Sequence, residues 1–284
     1  MNGISVGSMY SLLAVGFSLV YNILGIVNFS HGAMIAIGTY LSYWCVRYLR
    51  FPVPLALVIA VIGAGLASMG TERATLRPLR RRGQSSVFFF IASLTVFNLV
   101  AALLTYISKG NIESYPSAFL TGSFTFRGLM IPRIDVVMLV IAILSLMCLT
   151  YVLFRTRIGL AIRAASYNLK AAQLMGINID WVVAGTFLMA GLLAGIGGSL
   201  LGVKYAVYAD IGNMVFKAFF SCMVGGLGNL TGAIWGGLLI GLLETFTCAY
   251  ISSSVSPAIT FTVLIVLLLL RPQGLSGRVT EEKI

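Results

Sequence analysis

Two ionisable residues stand well inside apolar stretches of this 284-residue chain, Lys217 and Glu244. Glu244 follows Gly237 and Gly241 at helical spacing, so its carboxylate shares a helix face with small residues. A charge that faced lipid would be costly, so both groups are expected to face protein or water. They could form a structural ion pair or line a path for a polar solute, and the residue types leave both roles open.

A polar cluster interrupts the apolar stretches near the N-terminus. The segment 27–32 contains Asn28, Ser30 and His31, and His31 is the one histidine of the chain. Helices can break at membrane depth where the freed backbone groups line a cavity. Asn28, Ser30 and His31 are therefore candidates for a translocation path. The alternative is a tight turn at the membrane surface, with His31 as a cap.

Catalytic chemistry has little support in the sequence. With one histidine, no paired carboxylates in apolar stretches and no G-x-S-x-G motif, an integral membrane enzyme is hard to build. Four cysteines stand alone without C-x-x-C spacing, so neither a metal site nor a disulfide framework is expected. The chain has no G-x-x-x-x-G-K-[ST] motif, so any ATP that drives it must bind to another subunit.

The composition is that of a membrane protein with many crossings. Hydrophobic residues make up 59% of the chain and charged residues 10%. The formal net charge of +11 would suggest a nucleic-acid partner in a soluble protein. Membrane proteins instead accumulate Lys and Arg in cytoplasmic loops, so no nucleic-acid partner is expected here.

Nine apolar stretches recur along the chain, and a helix of about 20 residues crosses a hydrocarbon core of about 30 Å. The chain must cross the membrane an even number of times between two segments assigned to the cytoplasm, 155–180 and the C-terminal tail. The four stretches between them satisfy this if the stretch 214–228 crosses as well, as a short or broken helix. The sequence therefore predicts an all-α polytopic membrane protein with about eight to nine transmembrane helices in a single domain, 1–284. The stretches run over residues 7–27, 31–46, 53–70, 86–107, 134–154, 181–202, 214–228, 231–250 and 255–270.

Positive charge predicts the orientation of the chain, because Lys and Arg concentrate on the cytoplasmic side. Three basic segments are assigned to the cytoplasm: the loop 71–85, the segment 155–180 and the tail 271–284. The segment 108–133 then forms the largest external loop. Its Ser, Gly and Thr residues suit irregular or strand-like structure.

Small residues recur at four-residue spacing in the second half of the chain. This spacing lets helix backbones approach closely, which matters in lipid because association there depends on packing and hydrogen bonds. A tightly packed bundle of another function would show the same pattern. The predicted packing positions are Gly191, Gly195, Gly198, Gly202, Gly237 and Gly241.

The basic, Ala-rich segment 155–180 is predicted to be helical, with Gly176 as a C-terminal cap. It could seat in a groove of a soluble partner, or it could lie on headgroups attracted by its basic residues. Its sequence KAAQLMG resembles the EAA-x-x-x-G cytoplasmic loop of ABC importer permeases. Lys170 stands where that pattern has Glu, whereas Ala171, Ala172 and Gly176 keep its core.

The whole chain resembles the branched-chain amino acid ABC transporter permeases of the LivH type, in the hydrophobic amino acid uptake family. The stretches that carry this resemblance lie in order from end to end. They are GSMYSLLAVGFSLVYNILGIVNFSHGAMIAIGTY (7–40), ERATLRPLR (72–80), GLAIRAASYNLKAAQLMGINID (159–180), GGLGNLTGAIWGGLLIGLLE (225–244) and RPQGLSG (271–277).

The resemblance implies a multi-pass permease subunit of a bacterial inner membrane, with its C-terminus in the cytoplasm. It implies a second related permease subunit, two cytoplasmic ATPase subunits that hold ATP and Mg, a periplasmic substrate-binding protein, and contact with membrane lipid. This chain itself would bind no cofactor. The segment 155–180 becomes a coupling helix to the ATPases, and its candidate contact residues are Arg163, Lys170, Ala171, Ala172 and Gly176.

Branched-chain or other hydrophobic amino acids are the implied substrates, and urea or short amides are the alternative within the same family. An ion-coupled carrier or channel without ATPases is the alternative from a different class. Such a carrier is expected to hold several ionisable groups in its spans, whereas Lys217 and Glu244 stand nearly alone here. This scarcity favours the ABC permease.

Overall fold

The computed structural model describes residues 2–116, 122–126, 129–271 and 273–276. Most of these residues are helical, and a two-stranded antiparallel hairpin connects the fifth and sixth helices. The helices are α1 Asn2–Leu24, α2 Ser30–Arg47, α3 Val53–Thr71, α4 Arg77–Arg81, α5 Ser86–Ser108, α6 Arg133–Arg155, α7 Arg157–Tyr167, α8 Leu169–Leu174, α9 Ile179–Lys204, α10 Met214–Gly225, α11 Leu230–Tyr250 and α12 Ser256–Leu270, and the strands are β1 Ser123–Phe126 and β2 Leu129–Pro132.

Each of the nine apolar stretches coincides with a helix of the structure, so the all-α polytopic fold is confirmed. Among the described residues, six helices have the length and hydropathy of a full membrane crossing: α1, α3 with its extension, α5, α6, α9 and α11. The helices α10 and α12 are shorter, with 12 and 15 residues. The number of eight to nine crossings therefore stays a prediction.

The first helix, α1, forms the centre of the bundle. It is apolar on all sides, and nearly all of its residues from Gly3 to Val20 are buried. A helix without a polar face is stable only where other protein surrounds it. The helices α6, α9, α10 and α11 supply that surrounding surface.

The helices of the bundle meet at glycine residues, where their backbones come into direct contact. A Cβ atom on Gly198 of α9 would lie 2.2 Å from the carbonyl oxygen of Ile35 on α2. Thr39 of α2 donates a hydrogen bond of 2.8 Å to the Gly198 carbonyl at the same contact. The predicted packing glycines face three helices: Gly191 and Gly195 face α3, Gly198 and Gly202 face α2, and Gly237 and Gly241 face α1.

Two helices begin in the interior of the bundle. After α1 ends, the chain turns at Gly25, where φ is +65°, and α2 starts with its residue His31 against Gly16 in the middle of α1. The 3-10 turn before α10 reaches the same depth, where Gly212 packs on Gly32 of α2. Helix α10 thus traverses only part of the bundle, and the residues that precede it traverse the remainder.

The two ends of the bundle differ in charge and structure. The basic end carries α4, α7 and α8, and a π-helical segment, Glu72–Leu76, makes most of the predicted loop 71–85 helical. The C-terminal residues 273–276 lie at this end as well, since the Asn229 amide donates to the Ser276 carbonyl. The hairpin end carries β1 and β2. Residues 272 and 277–284 of the predicted tail lie outside the described residues, as do 117–121 and 127–128 of the predicted external loop.

Replacing Gly198 with alanine is expected to destabilise the protein by about 1–3 kcal/mol, because the new methyl group would overpack the contact with α2. The thermal midpoint of the purified protein in detergent, followed by size-exclusion chromatography, measures this loss. Gly185→Ala is the matched control on α9, since the space beside Gly185 is open. Equal midpoints for the two variants would contradict the packing assigned to Gly198.

Candidate translocation path and coupling surface

Lys217 and Glu244 form an ion pair that joins α10 to α11. The Lys217 ammonium group donates to the Glu244 carboxylate, and it also donates to the Tyr10 hydroxyl at 2.9 Å. The Tyr10 hydroxyl in turn donates to the second Glu244 oxygen at 2.8 Å. One network of charges and hydrogen bonds thereby connects the consecutive helices α10 and α11 to α1, which is distant from them in sequence.

This ion pair is only partly shielded by the chain. The side chains of Lys217 and Glu244 are 32% and 21% exposed. Because the pair lies beside the central helix at membrane depth, the exposed part must meet water or another protein instead of lipid. The structure thus shows the pairing, and it leaves one side of the pair open to a partner or a solute.

Three further polar residues, which the sequence did not predict as site residues, are exposed at membrane depth. Asn98 lies in the middle of α5, and Asp210 and Asn213 belong to the 3-10 turn before α10. Asn98 could have been identified from the sequence, because it is a lone amide within a long apolar stretch. No comparable signal marked Asp210 and Asn213, because their segment looked like an ordinary connection between helices.

The turn that contains Asp210 and Asn213 packs on α2 and α5. Gly212, between Asp210 and Asn213, lies against the ring of Phe97 on α5. Asn213 precedes Lys217 by four residues, so the two side chains lie on neighbouring turns of one face. We define the polar face as the exposed and partly exposed polar residues of α5, α10, α11 and the turn before α10, which are Asn98, Asp210, Asn213, Lys217 and Glu244.

The predicted path residues Asn28, Ser30 and His31 are all buried. The Asn28 side-chain oxygen accepts hydrogen bonds from the Ser30 backbone nitrogen at 3.2 Å and from the Ser30 hydroxyl at 2.7 Å, which closes the turn before α2. Phe29 packs against Phe17, Phe90, Phe216 and Phe219 around this turn. Within this chain none of the three polar side chains reaches an open surface, and their part in a translocation path stays a prediction.

Two short helices, α7 and α8, make up most of the segment 155–180. Polar side chains define where each helix of this region begins: Thr156 accepts from the Gly159 nitrogen at 3.1 Å, and Asn168 accepts from the Ala171 nitrogen at 3.0 Å. Helix α8 is followed by Gly176, whose φ of +83° is readily adopted by glycine. Local capping therefore fixes the outline of this segment.

Apolar side chains project from this segment without cover. Tyr167, Leu174 and Met175 are each more than 80% exposed. Lys170 and Ala171 are exposed beside them, whereas Ala172 is buried. We define the coupling surface as Tyr167, Lys170, Ala171, Leu174 and Met175.

Arg163, the fifth predicted coupling residue, turns towards the bundle. Its guanidinium group donates to the Leu153 carbonyl near the end of α6 and lies 5.1 Å from the centre of the Phe154 ring. The coupling role of Arg163 stays a prediction, and its observed contacts connect α7 to α6.

Asp180 joins the end of the segment 155–180 to α4, the helix that extends α3. Its carboxylate accepts from Arg77, from Arg80 at 2.8 Å and from Arg81 at 2.8 Å. Arg80 also pairs with the buried Glu72 at 2.9 Å. The Asp180 carboxylate therefore joins the start of α9 to the helix that extends α3.

The fold and these surfaces define a polytopic α-helical membrane protein that presents a polar face at membrane depth and an uncovered helical surface at one end. Residues 1–270 match the family described as branched-chain amino acid transport system / permease component. The match spans nearly the whole chain, and the chain belongs to this family.

The chain is similar over most of its length to several permease proteins. It is 33% identical to the high-affinity branched-chain amino acid transport system permease protein BraD of Pseudomonas aeruginosa, over 100% of this chain and 96% of the relative. It is 33% identical to the permease protein LivH of Salmonella typhimurium over the same shares. A probable branched-chain amino acid transport permease of Methanocaldococcus jannaschii is 28% identical, over 94% of this chain and 88% of the relative. No solved structure matches this chain significantly.

Removing one charge of the ion pair is expected to cost more than removing both. Glu244→Gln or Lys217→Met leaves the other charge without its partner, which should destabilise the protein by about 1–3 kcal/mol. The double variant should recover most of this loss, and thermal midpoints of all three proteins measure the difference. Tyr10→Phe is the control that removes only the hydroxyl. A double variant whose loss equals the sum of the single losses would contradict the pairing.

Proposed function

We propose that this chain is the membrane-spanning subunit of a binding-protein-dependent ABC importer that carries branched-chain amino acids across a bacterial inner membrane. The full-length match to the permease family supports this function. The relatives named as high-affinity branched-chain amino acid permeases support the substrate. In this importer two ATPase subunits bind ATP and Mg, and a periplasmic protein delivers the amino acid.

The polar face contacts the translocation path and a second, related permease subunit. Its exposed amides and carboxylates lie where lipid would be a poor neighbour. A second subunit placed against this face would leave a shared path between the two chains. Lys217 and Glu244 would then meet the path with their exposed sides while their mutual contact holds α10 to α11.

The coupling surface contacts an ATPase subunit. Its apolar side chains are uncovered at the end of the protein where basic residues predict the cytoplasm. ATPase subunits that have closed on ATP would bind one conformation of the permease more tightly than the other, and they would thereby favour that conformation. Asp180 and its arginine partners would convey that movement to α3 and α9.

Purification through a tag on this chain tests the proposed assembly directly. Mass spectrometry of the purified material should detect two ATPase subunits and a second permease, and a binding protein loaded with leucine should stimulate ATP hydrolysis. Stimulation by a urea-loaded or amide-loaded protein alone would reassign the substrate. A lone chain that moves solute in vesicles without ATP would support an ion-coupled carrier instead.

Cysteines placed on the polar face are expected to react with a charged, water-soluble thiol reagent in the assembled transporter. Asn98→Cys and Asn213→Cys, each in a background without the four natural cysteines, should be labelled because the face is wet. Leu103→Cys is the control, since Leu103 is exposed on α5 and should lie in lipid. Equal labelling at Asn98 and Leu103 would contradict the assignment of the polar face.

A carboxylate on the coupling surface is expected to uncouple transport. Leu174→Asp should reduce uptake about tenfold or more, because burying a leucine side chain, here in the proposed contact with the ATPase, contributes about 1.5–3 kcal/mol. Uptake, ATPase co-purification and membrane levels should be measured together. Ser85→Asp adds the same charge at the same end of the protein, outside the segment 155–180, and should leave uptake unchanged. Normal uptake by Leu174→Asp at equal membrane levels would exclude this surface.

A further inference from the structure

The helix that begins at Val53 is longer than a membrane crossing requires. It continues through the π-helical segment to Arg81 and has 29 residues, which corresponds to about 43 Å. A hydrocarbon core is about 30 Å thick. The last turns, which carry Arg73, Arg77 and Arg80, therefore lie at the level of the lipid headgroups.

The arginines of these turns are not equally neutralised. Arg77, Arg80 and Arg81 share the carboxylates of Asp180 and Glu72. Among the described residues, no carboxylate pairs with Arg73. Its guanidinium group lies 5.2 Å from the centre of the Trp181 ring, at the start of α9.

Arg73 and Trp181 belong to a cavity at the surface of the protein. The cavity has a volume of about 300 Å³ and is lined by Arg73, Arg77, Asp180 and Trp181. Two cations and one carboxylate give it a net positive charge. Trp181 is 67% exposed, and tryptophan is common where protein meets headgroups, because its ring is apolar and its N–H can donate to a polar group.

An apolar ridge leads to this cavity along α3. Val58, Ile62 and Leu66 follow one another at four-residue spacing, and each is about half exposed. Gly70 continues the same face, and the space beside it is open. Arg73 comes next on this face, so a hydrocarbon surface passes directly into a positively charged recess.

We propose that Arg73, Arg77 and Trp181 bind the phosphate headgroup of an anionic phospholipid, whose acyl chains lie along the ridge of α3. Free phosphate would fit the charge of the recess, but it has no apolar part that could contact the ridge. The lipid would stabilise the contact between the extension of α3 and the start of α9, where Asp180 pairs with the arginines. This site needs neither ATP nor an amino acid substrate, so it can be tested apart from the proposed transport function.

Fluorescence of Trp181 provides the test, in the full chain with Trp44 and Trp235 replaced by phenylalanine. The protein is placed in bilayers that contain either phosphatidylglycerol or phosphatidylcholine, brominated near the headgroup end of the acyl chains. Quenching should show a preference of about fivefold for phosphatidylglycerol. Arg73→Gln should abolish the preference, whereas Arg82→Gln, which removes an arginine outside the cavity, should preserve it.

Lipid measured by mass spectrometry in the purified natural-sequence protein gives a second reading, and Arg73→Gln should lower the phosphatidylglycerol that co-purifies. Equal quenching by the two lipids, or an unchanged preference in Arg73→Gln, would overturn the proposal. Loss of the preference in inorganic phosphate, but not in chloride of equal ionic strength, would assign the recess to a free anion. Loss on assembly with the partner subunits would assign it to a protein contact.

Discussion

Close contact between helix backbones is the constraint on which the rest of this structure depends. Lipid provides no hydrophobic driving force for helix association, so the bundle relies on packing and on hydrogen bonds between helices. The glycines of α9 and α11 bring these helices against α1, α2 and α3, and hydroxyl groups such as Thr39 and Ser199 bond to carbonyls across the contacts. The inward start of α2 and the approach of the 3-10 turn to it are possible because Gly32 and Gly212 leave room for each other's backbone.

Ion pairs then fix the helices relative to one another at three depths. Lys217 and Glu244 join α10 to α11 beside the centre, and Lys204 and Asp135 join α9 to α6 at the hairpin end with a distance of 2.7 Å. The Asp180 carboxylate forms ion pairs with three arginines at the basic end. The pairs of Asp135 and Asp180 connect helices that are not consecutive in the chain, and Tyr10 connects the pair of Lys217 and Glu244 to α1. Such pairs specify which helices are neighbours, even where their net contribution to stability is small.

These contacts form a continuous physical connection between the two proposed functional surfaces. The segment 155–180 is connected to the extension of α3 through Asp180 at the start of α9, and α9 packs on α2 at Gly198. Helix α2 meets the turn before α10 at Gly212, and α10 carries Lys217 of the polar face. Because packed protein interiors have low compressibility, we expect a movement at the basic end to be transmitted along this route to membrane depth. The proposed lipid site lies beside the first joint of this route.

The sequence by itself determined the class of fold and the position of each apolar helix, because the length of an apolar stretch and the spacing of small residues are local properties. It also located the basic segments, the cap at Gly176 and the two ionisable residues of α10 and α11. Exposure was decided only in the tertiary structure, since it depends on elements that are distant in the chain. The fold buried Asn28, Ser30 and His31, exposed Asn98 and Asp210, and turned Arg163 inward, and it did so because neighbouring helices, which no local pattern specifies, cover one face of each element and leave another open.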